Sequence, residues 1–234
     1  MFHWTKVQLL RGGLLGPLVA GALAACLASA LASAQAPRAG KSELSVSPVF
    51  TLGKNYGFPV GASAKTDSGF GLGIQWHYNF DGNWSAGLDA EIRGADYTGT
   101  AAPSAPSATP AFSFDARART TTLRLGFDYN FSPSQLTPFV TGGFGLAFVD
   151  AGLPGGSAFS GCAWYPYWGQ VCGGTVPSKT LMQATYSGGV GVRYDLKPEP
   201  YFFRALYDTA WINYGSSVGK LTYQQFRIDF GVKF

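Results

Sequence analysis

The chain of 234 residues carries 13% charged residues, 15% aromatics and 32 glycines, with a formal net charge of +4. Ordinary soluble domains carry about 25% charged residues. The few charges here alternate along the chain and do not cluster, which excludes a nucleic-acid footprint. No His/Cys/Asp group has metal-ligand spacing, so neither a metal nor another cofactor is expected.

Residues 1–34 read as a secretory signal. Lys6 and Arg11 form its positive start, Leu14 to Leu31 is apolar, and Ala32-Ser33-Ala34 is an A-x-A site. Cleavage between Ala34 and Gln35 leaves a mature part of 15 basic and 13 acidic residues. Leu23-Ala24-Ala25-Cys26 also fits a lipobox with Cys26 as lipidated terminus, but Leu27 to Ala34 continues as the tail of a signal would. No later segment carries the roughly eighteen apolar residues of a spanning helix.

The mature chain, 35–234, is read as one domain of strands. Gln35 to Ser42 is a polar lead. Glu43–Gly53 is the first strand, with Leu44, Val46, Pro48, Phe50 and Leu52 on one face. Pro48 lacks an amide donor, so it belongs near a seam. Lys54–Ser68 reads as a loop. Gly69–Phe80 alternates Phe70, Leu72, Ile74, Trp76, Tyr78 and Phe80 with Gly71, Gly73, Gln75, His77 and Asn79. A three-residue turn, Asp81-Gly82-Asn83, then keeps the polar face of Trp84–Thr98 on the same side. That register sets Gly71 across from Arg93 and Gly73 across from Glu91, leaving room for the long charged chains.

Gly99–Ala111 is rich in Ala, Pro, Ser and Thr and reads as a loop. Phe112–Phe131 is the fourth strand, with Arg124 and Asp128 opposite Leu123, Leu125, Phe127 and Tyr129. Leu136–Val149 is the fifth, and Asp150–Lys179 a long loop. Thr180–Leu196 and Tyr201–Tyr214 follow, carrying Arg193, Asp195, Arg204 and Asp208 on their polar faces. In the last strand Phe226, Ile228, Phe230, Val232 and Phe234 alternate with Gln225, Arg227, Asp229, Gly231 and Lys233.

Period two marks each segment as a strand. Eight strands result, with short turns after the second, fourth and sixth and long connections after the first, third and fifth. That asymmetry predicts an all-β fold, an eight-stranded antiparallel up-and-down barrel crossing a membrane, apolar side out and polar side in. A soluble lipocalin-like barrel or a sandwich is disfavoured, because it would bury the aromatic face and expose the charges.

At this point the residues resemble a family. The signal segment, Thr137-Pro-Phe-Val-Thr-Gly-Gly-Phe-Gly-Leu-Ala147, Tyr186-Ser-Gly-Gly-Val-Gly-Val-Arg-Tyr194 and the terminal Arg227-Ile-Asp-Phe-Gly-Val-Lys-Phe234 look like the outer-membrane β-barrel domain family. That family includes opacity-type surface antigens and small eight-stranded barrels of Gram-negative bacteria. The resemblance implies location in the cell outer membrane, contact with outer-membrane lipid and lipopolysaccharide, and recognition of Phe230, Val232 and Phe234 by the barrel assembly machinery.

Several side chains are candidates for function. Glu91, Arg93, Arg124, Asp128, Arg193, Asp195, Arg204, Asp208, Arg227 and Asp229 point inward. An ion path is one reading of them. A packed salt-bridge network is the other, favoured because eight strands leave an interior that side chains just fill. His77 is the single mature histidine and is expected in that network, near Gly87 and Asp89, rather than in catalysis. Cys162 and Cys172 are expected to pair, since the signal sends the chain to an oxidising compartment. Trp164, Tyr165, Tyr167 and Trp168, lying between them, are candidate contacts for an extracellular ligand or host surface, or else pack over the barrel mouth. The expected role is structural or surface-interacting, adhesin- or antigen-like, without enzymatic activity. A narrow channel for small solutes is the alternative, and a lipid-modifying enzyme a third reading.

Overall fold

The computed structural model describes residues 38–103, 111–152, 159–174, 180–214 and 220–234. The expected signal segment, with Cys26, Ala34 and Gln35, lies outside them. Twelve strands are present among these residues: β1 (Ser42–Thr51), β2 (Lys54–Gly57), β3 (Ser63–Thr66), β4 (Gly69–Asn79), β5 (Trp84–Pro103), β6 (Phe112–Asn130), β7 (Leu136–Ala151), β8 (Phe159–Tyr165), β9 (Gly169–Gly174), β10 (Leu181–Asp195), β11 (Tyr201–Asn213) and β12 (Lys220–Lys233).

Eight of them pair antiparallel in a closed ring, β1–β4–β5–β6–β7–β10–β11–β12, and β12 returns to β1. Closure leaves no sheet edge around the ring, the condition under which strands can cross lipid. The side-chain distribution is inverted relative to a soluble protein. Phe70, Leu72 and Ile228 are about half exposed on the outer wall, while Arg124, Asp195 and Asp229 are buried inside. A soluble surface does not carry apolar area on this scale. Aromatic pairs such as Trp84–Tyr129 and Tyr78–Phe80 lie on the outer wall beside the short turns, at ring separations of 4.7 and 5.5 Å.

The register of β4 and β5 follows from the odd turn. Gly71 faces Arg93, Gly73 faces Glu91 and His77 faces Gly87. Any Cβ on Gly71 would lie 2.7 Å from the Cβ of Arg93, so this approach requires glycine.

Two long connections depart from the expected plain loops. The segment 54–68 holds the β2–β3 hairpin, which pairs through β3 with β5. The segment 150–179 holds the β8–β9 hairpin, which pairs through β8 with the end of β5. The β5–β6 ladder runs on from Trp84↔Tyr129 to Ala101↔Phe112, so Gly99 to Pro103 is strand where a loop was expected. The misread stretches have small or mixed residues, and their pairing partners lie far off in sequence. The hydrophobic cluster forms where these extensions meet, at the end of the ring that carries the long connections, around Tyr56, Phe58, Tyr97, Phe114, Tyr165 and Tyr167.

Candidate functional site

Inside the ring the charged side chains form three levels, rising from the short-turn end. In the lowest, Arg193 on β10 donates from Nη1 to Glu43 on β1 at 2.8 Å and from Nη2 to Asp195 at 2.9 Å. Its guanidinium lies 4.3 Å from the ring centroid of Phe202. Asp195 also accepts from Arg38 Nε and from Lys233 Nζ, each at 2.8 Å. Arg38 therefore leaves the polar lead and enters the lumen, where it is fully buried. Its position ahead of the first strand gave no periodic signal of this.

In the middle level Arg204 on β11 donates from Nε to Asp229 at 2.8 Å, from Nη1 to Asp128 at 2.7 Å, and from Nη2 to Gln75. Ser47 donates to the second oxygen of Asp229 at 2.7 Å, and Arg227 Nε lies 3.0 Å from it. His77 stands between two carboxylates, with Nε2 2.8 Å from Asp89 and Nδ1 3.1 Å from Asp128. His77 is buried inside the ring, so each of its ring nitrogens faces a carboxylate of the lumen rather than the lipid.

In the upper level Glu91 accepts from Arg124 at 3.2 Å, Gln225 at 3.1 Å and Arg93 at 3.3 Å. Arg93 Nη1 also donates to Gln225 at 2.6 Å, and its guanidinium sits 4.6 Å from the Tyr223 ring centroid. These side chains come from different strands, so the network ties the ring across its interior. Strand pairing places Asp208 opposite Gln225, and its Oδ1 makes no direct hydrogen bond. Of the β11 groups, Arg204 makes the direct ionic contact with β12.

Above the charges the chemistry changes. The β8–β9 hairpin carries the disulfide Cys162–Cys172, with Cα atoms 4.0 Å apart. Its tip dips into the mouth. Tyr167 occupies left-handed backbone (φ 66°), a conformation that costs a non-glycine residue about 1–3 kcal/mol. That cost is offset by packing: its ring centroid lies 5.3 Å from Tyr97, 5.7 Å from Phe58 and 5.9 Å from Tyr214. Burial raises its hydroxyl pKa well above the ordinary tyrosine value, so the plug stays neutral. Trp168 Nε1 donates to the carbonyl of Ala151 at 3.2 Å, and Tyr56 OH to that of Thr222 at 2.7 Å. Beneath Tyr167 a cavity of about 20 Å³, lined by Thr51, Arg93, Thr120 and Tyr223 among others, separates the plug from the upper level. That is room for about one water.

The four aromatic contact candidates are therefore not a free surface. Tyr165 and Tyr167 are each 2% exposed, and Trp164 and Trp168 are half-buried. This is the second of the two readings of these aromatics, packing over the barrel mouth: the hairpin folds inward, and aromatic rings gain more from the mouth than from water. The proposed assembly residues Phe230 and Phe234 point outward at the end of β12, with Val232 half-buried between them.

Comparison with curated proteins by sequence finds no match. Among solved structures, the outer membrane protein OprG of Pseudomonas aeruginosa is 17% identical, with a TM-score of 0.49 over 86% of this chain and 98% of that one. Neisserial surface protein A (NspA) is 17% identical, with a TM-score of 0.47 over 84% and 98%. The attachment invasion locus protein Ail of Yersinia pestis, solved with the heparin analogue sucrose octasulfate, is 14% identical, with a TM-score of 0.42 over 84% and 99%. The family model of the outer membrane protein beta-barrel domain matches residues 22–234, nearly the whole sequence, and the chain belongs to that family.

Proposed function

We propose that this outer-membrane barrel is a non-conducting scaffold that presents its extracellular strands and hairpins for surface interaction. One observation carries the reading: the lumen is obstructed twice, by the cross-strand ionic network and by the Tyr167 plug. A channel needs a path through both. An enzyme of the lipid-modifying kind needs a general base within reach of lipid, and His77 is buried inside the ring between Asp89 and Asp128. The presenting surface is then the outer wall of the extended β5–β6 ladder rather than the hairpin tip. Asp96 and Arg117 stand there with side chains 70% exposed, beside Thr98 and Asp115.

Planar-bilayer recording of the reconstituted protein tests the first half, with no discrete conductance steps expected; steps in the wild type would replace this reading with the channel. Adherence of bacteria displaying the protein to a host-cell monolayer tests the second. Shortening β5–β6 above Gly94 and Arg119 should lower adherence, and unchanged adherence would remove the surface role. Phe230, Val232 and Phe234 are proposed as the segment read by the assembly machinery. Periplasmic retention of a Phe230→Ser/Phe234→Ser variant supports this, and normal insertion counts against it.

A further inference from the structure

The ring has one interrupted ladder. On its β4 side, β1 is paired at every residue from Ser42 to Thr51. On its β12 side, pairing runs from Glu43 to Val46, lapses at Ser47 and Pro48, and resumes at Val49. The reason is local. Ser42 and Leu52 donate their amides to Phe234 and Gln224, so even-numbered residues of β1 aim their N–H groups at β12. Pro48 is even-numbered and has no N–H to aim. Its missing donor falls on the join between the first and last strands, the one join that no turn connects.

Side chains bridge this join at two heights. Ser47, inside the gap, donates its hydroxyl to Asp229 on β12 at 2.7 Å. Below the gap the lead crosses the periplasmic mouth. Arg38 Nε donates to Asp195 on β10 at 2.8 Å, and its Nη2 donates to the carbonyl of Ser134 in the β6–β7 turn. Asp195 is shared with Lys233 of β12 and with Arg193, which in turn holds Glu43 of β1. The lead, β1, β10 and β12 thus meet on one cluster of five charged groups directly under the seam.

We propose that this cluster is a latch: Arg38, with Glu43, Arg193, Asp195 and Lys233, holds shut the proline-interrupted β1–β12 seam, which is the point where the barrel wall opens laterally. The seam has lost one backbone donor, that of Pro48, so its opening depends on side chains more than at any continuous join. The lead contributes to closure only after its arginine has entered the lumen. Three residues separate Arg38 from Ser42, where the seam begins, so the latch sits at its lower end.

Hydrogen-exchange mass spectrometry on the folded protein in lipid nanodiscs tests this, comparing wild type with Arg38→Gln and Lys233→Met. Exchange in peptides covering 43–51 and 225–233 should accelerate about tenfold or more in both variants, the change that about 1.4 kcal/mol of lost seam stability produces, while 121–130 and 140–149 stay at the wild-type rate. If Arg38→Gln fails to fold, Lys233→Met, which removes an arm at the rim, carries the comparison alone. Unchanged seam exchange, or acceleration spread equally over all strands, would overturn the latch.

Discussion

At the periplasmic end Arg38, Glu43, Arg193, Asp195 and Lys233 fill the lumen with paired charges. At the extracellular end Tyr56, Tyr97, Tyr167 and Tyr214 fill it with neutral rings. Connection length explains the difference. The periplasmic turns are short, so strand residues and the lead are what reach inward there, and most of the inward rungs are polar, with Phe139 and Phe202 among the exceptions. The extracellular connections are long enough to fold hairpins back, and these bring rings that need no fixed partner. The two closures should fail differently. A buried charge is tied to specific atoms, and losing one partner strands the other. A ring cluster loses area and contacts in proportion to what is removed.

The sharpest contrast should come from Arg204. It holds Asp128, Asp229 and Gln75 from three other strands, whereas His77 stands beside Asp128 alone and Arg227 beside Asp229 alone of these three. Arg204→Ala should lower the unfolding free energy by about 3–5 kcal/mol, measured by urea titration in detergent or lipid. An unchanged midpoint and slope would mean that the interior charges are solvated and the network is not structural. At the other end, Tyr167→Ala empties the centre of the plug and should cost about 3 kcal/mol, by analogy with buried aromatic truncations. Its effect should be confined to the hairpins, seen as faster exchange in β2, β3, β8 and β9 with the lower barrel unaffected. If the lower strands loosen as well, the two ends are one cooperative unit and the contrast fails.

Reducing Cys162–Cys172 should have a smaller effect. The bridge closes a short loop, with a sequence separation of 10, and is worth about 2–3 kcal/mol in the chain-entropy description. β8 and β9 remain paired from Ala163↔Val171 to Tyr165↔Gly169 without it, and Tyr167 remains packed. Reduction should therefore raise protease susceptibility of the hairpin and leave the barrel's thermal transition in place. A barrel that unfolds on reduction would show that the hairpin supports the ring.

Strand pattern was legible because a membrane barrel writes both of its faces into the sequence. Phe226 to Phe234 and Phe70 to Phe80 alternate so strictly that face, phase and turn parity follow, and with them the Gly71–Arg93 and Gly73–Glu91 pairs. Three things were not legible. Phe139, Phe202 and Leu206 point inward despite being apolar, because some rungs of the lumen pack guanidinium groups against rings. The hairpins β2–β3 and β8–β9 depend on partners brought near only by closure. Arg38 belongs to no periodic element, so nothing local distinguishes it from an exposed arginine.

The smallest expected effect separates exposed charge from buried charge at the periplasmic end itself. Asp81 lies in the β4–β5 turn, fully exposed, and its Oδ1 accepts from the backbone amides of Asn83 and Trp84, each at 2.7 Å. Those two bonds hold its carboxyl below the usual aspartate range, Trp84 contributing most. A carboxylate with a depressed folded-state pKa stabilises the fold above its unfolded value of about 4, and that contribution is lost as pH falls through the folded-state value. An Asp81→Asn variant keeps an acceptor oxygen but cannot titrate. The stability difference between wild type and variant should therefore be constant from pH 7 to about pH 5 and should shrink below about pH 4. Both proteins share the interior acids, so their common acid response cancels in the difference. Urea unfolding at each pH reads it directly. A difference that does not change across this range would mean that the turn holds without its ionised cap, leaving the buried clusters as the source of the acid response.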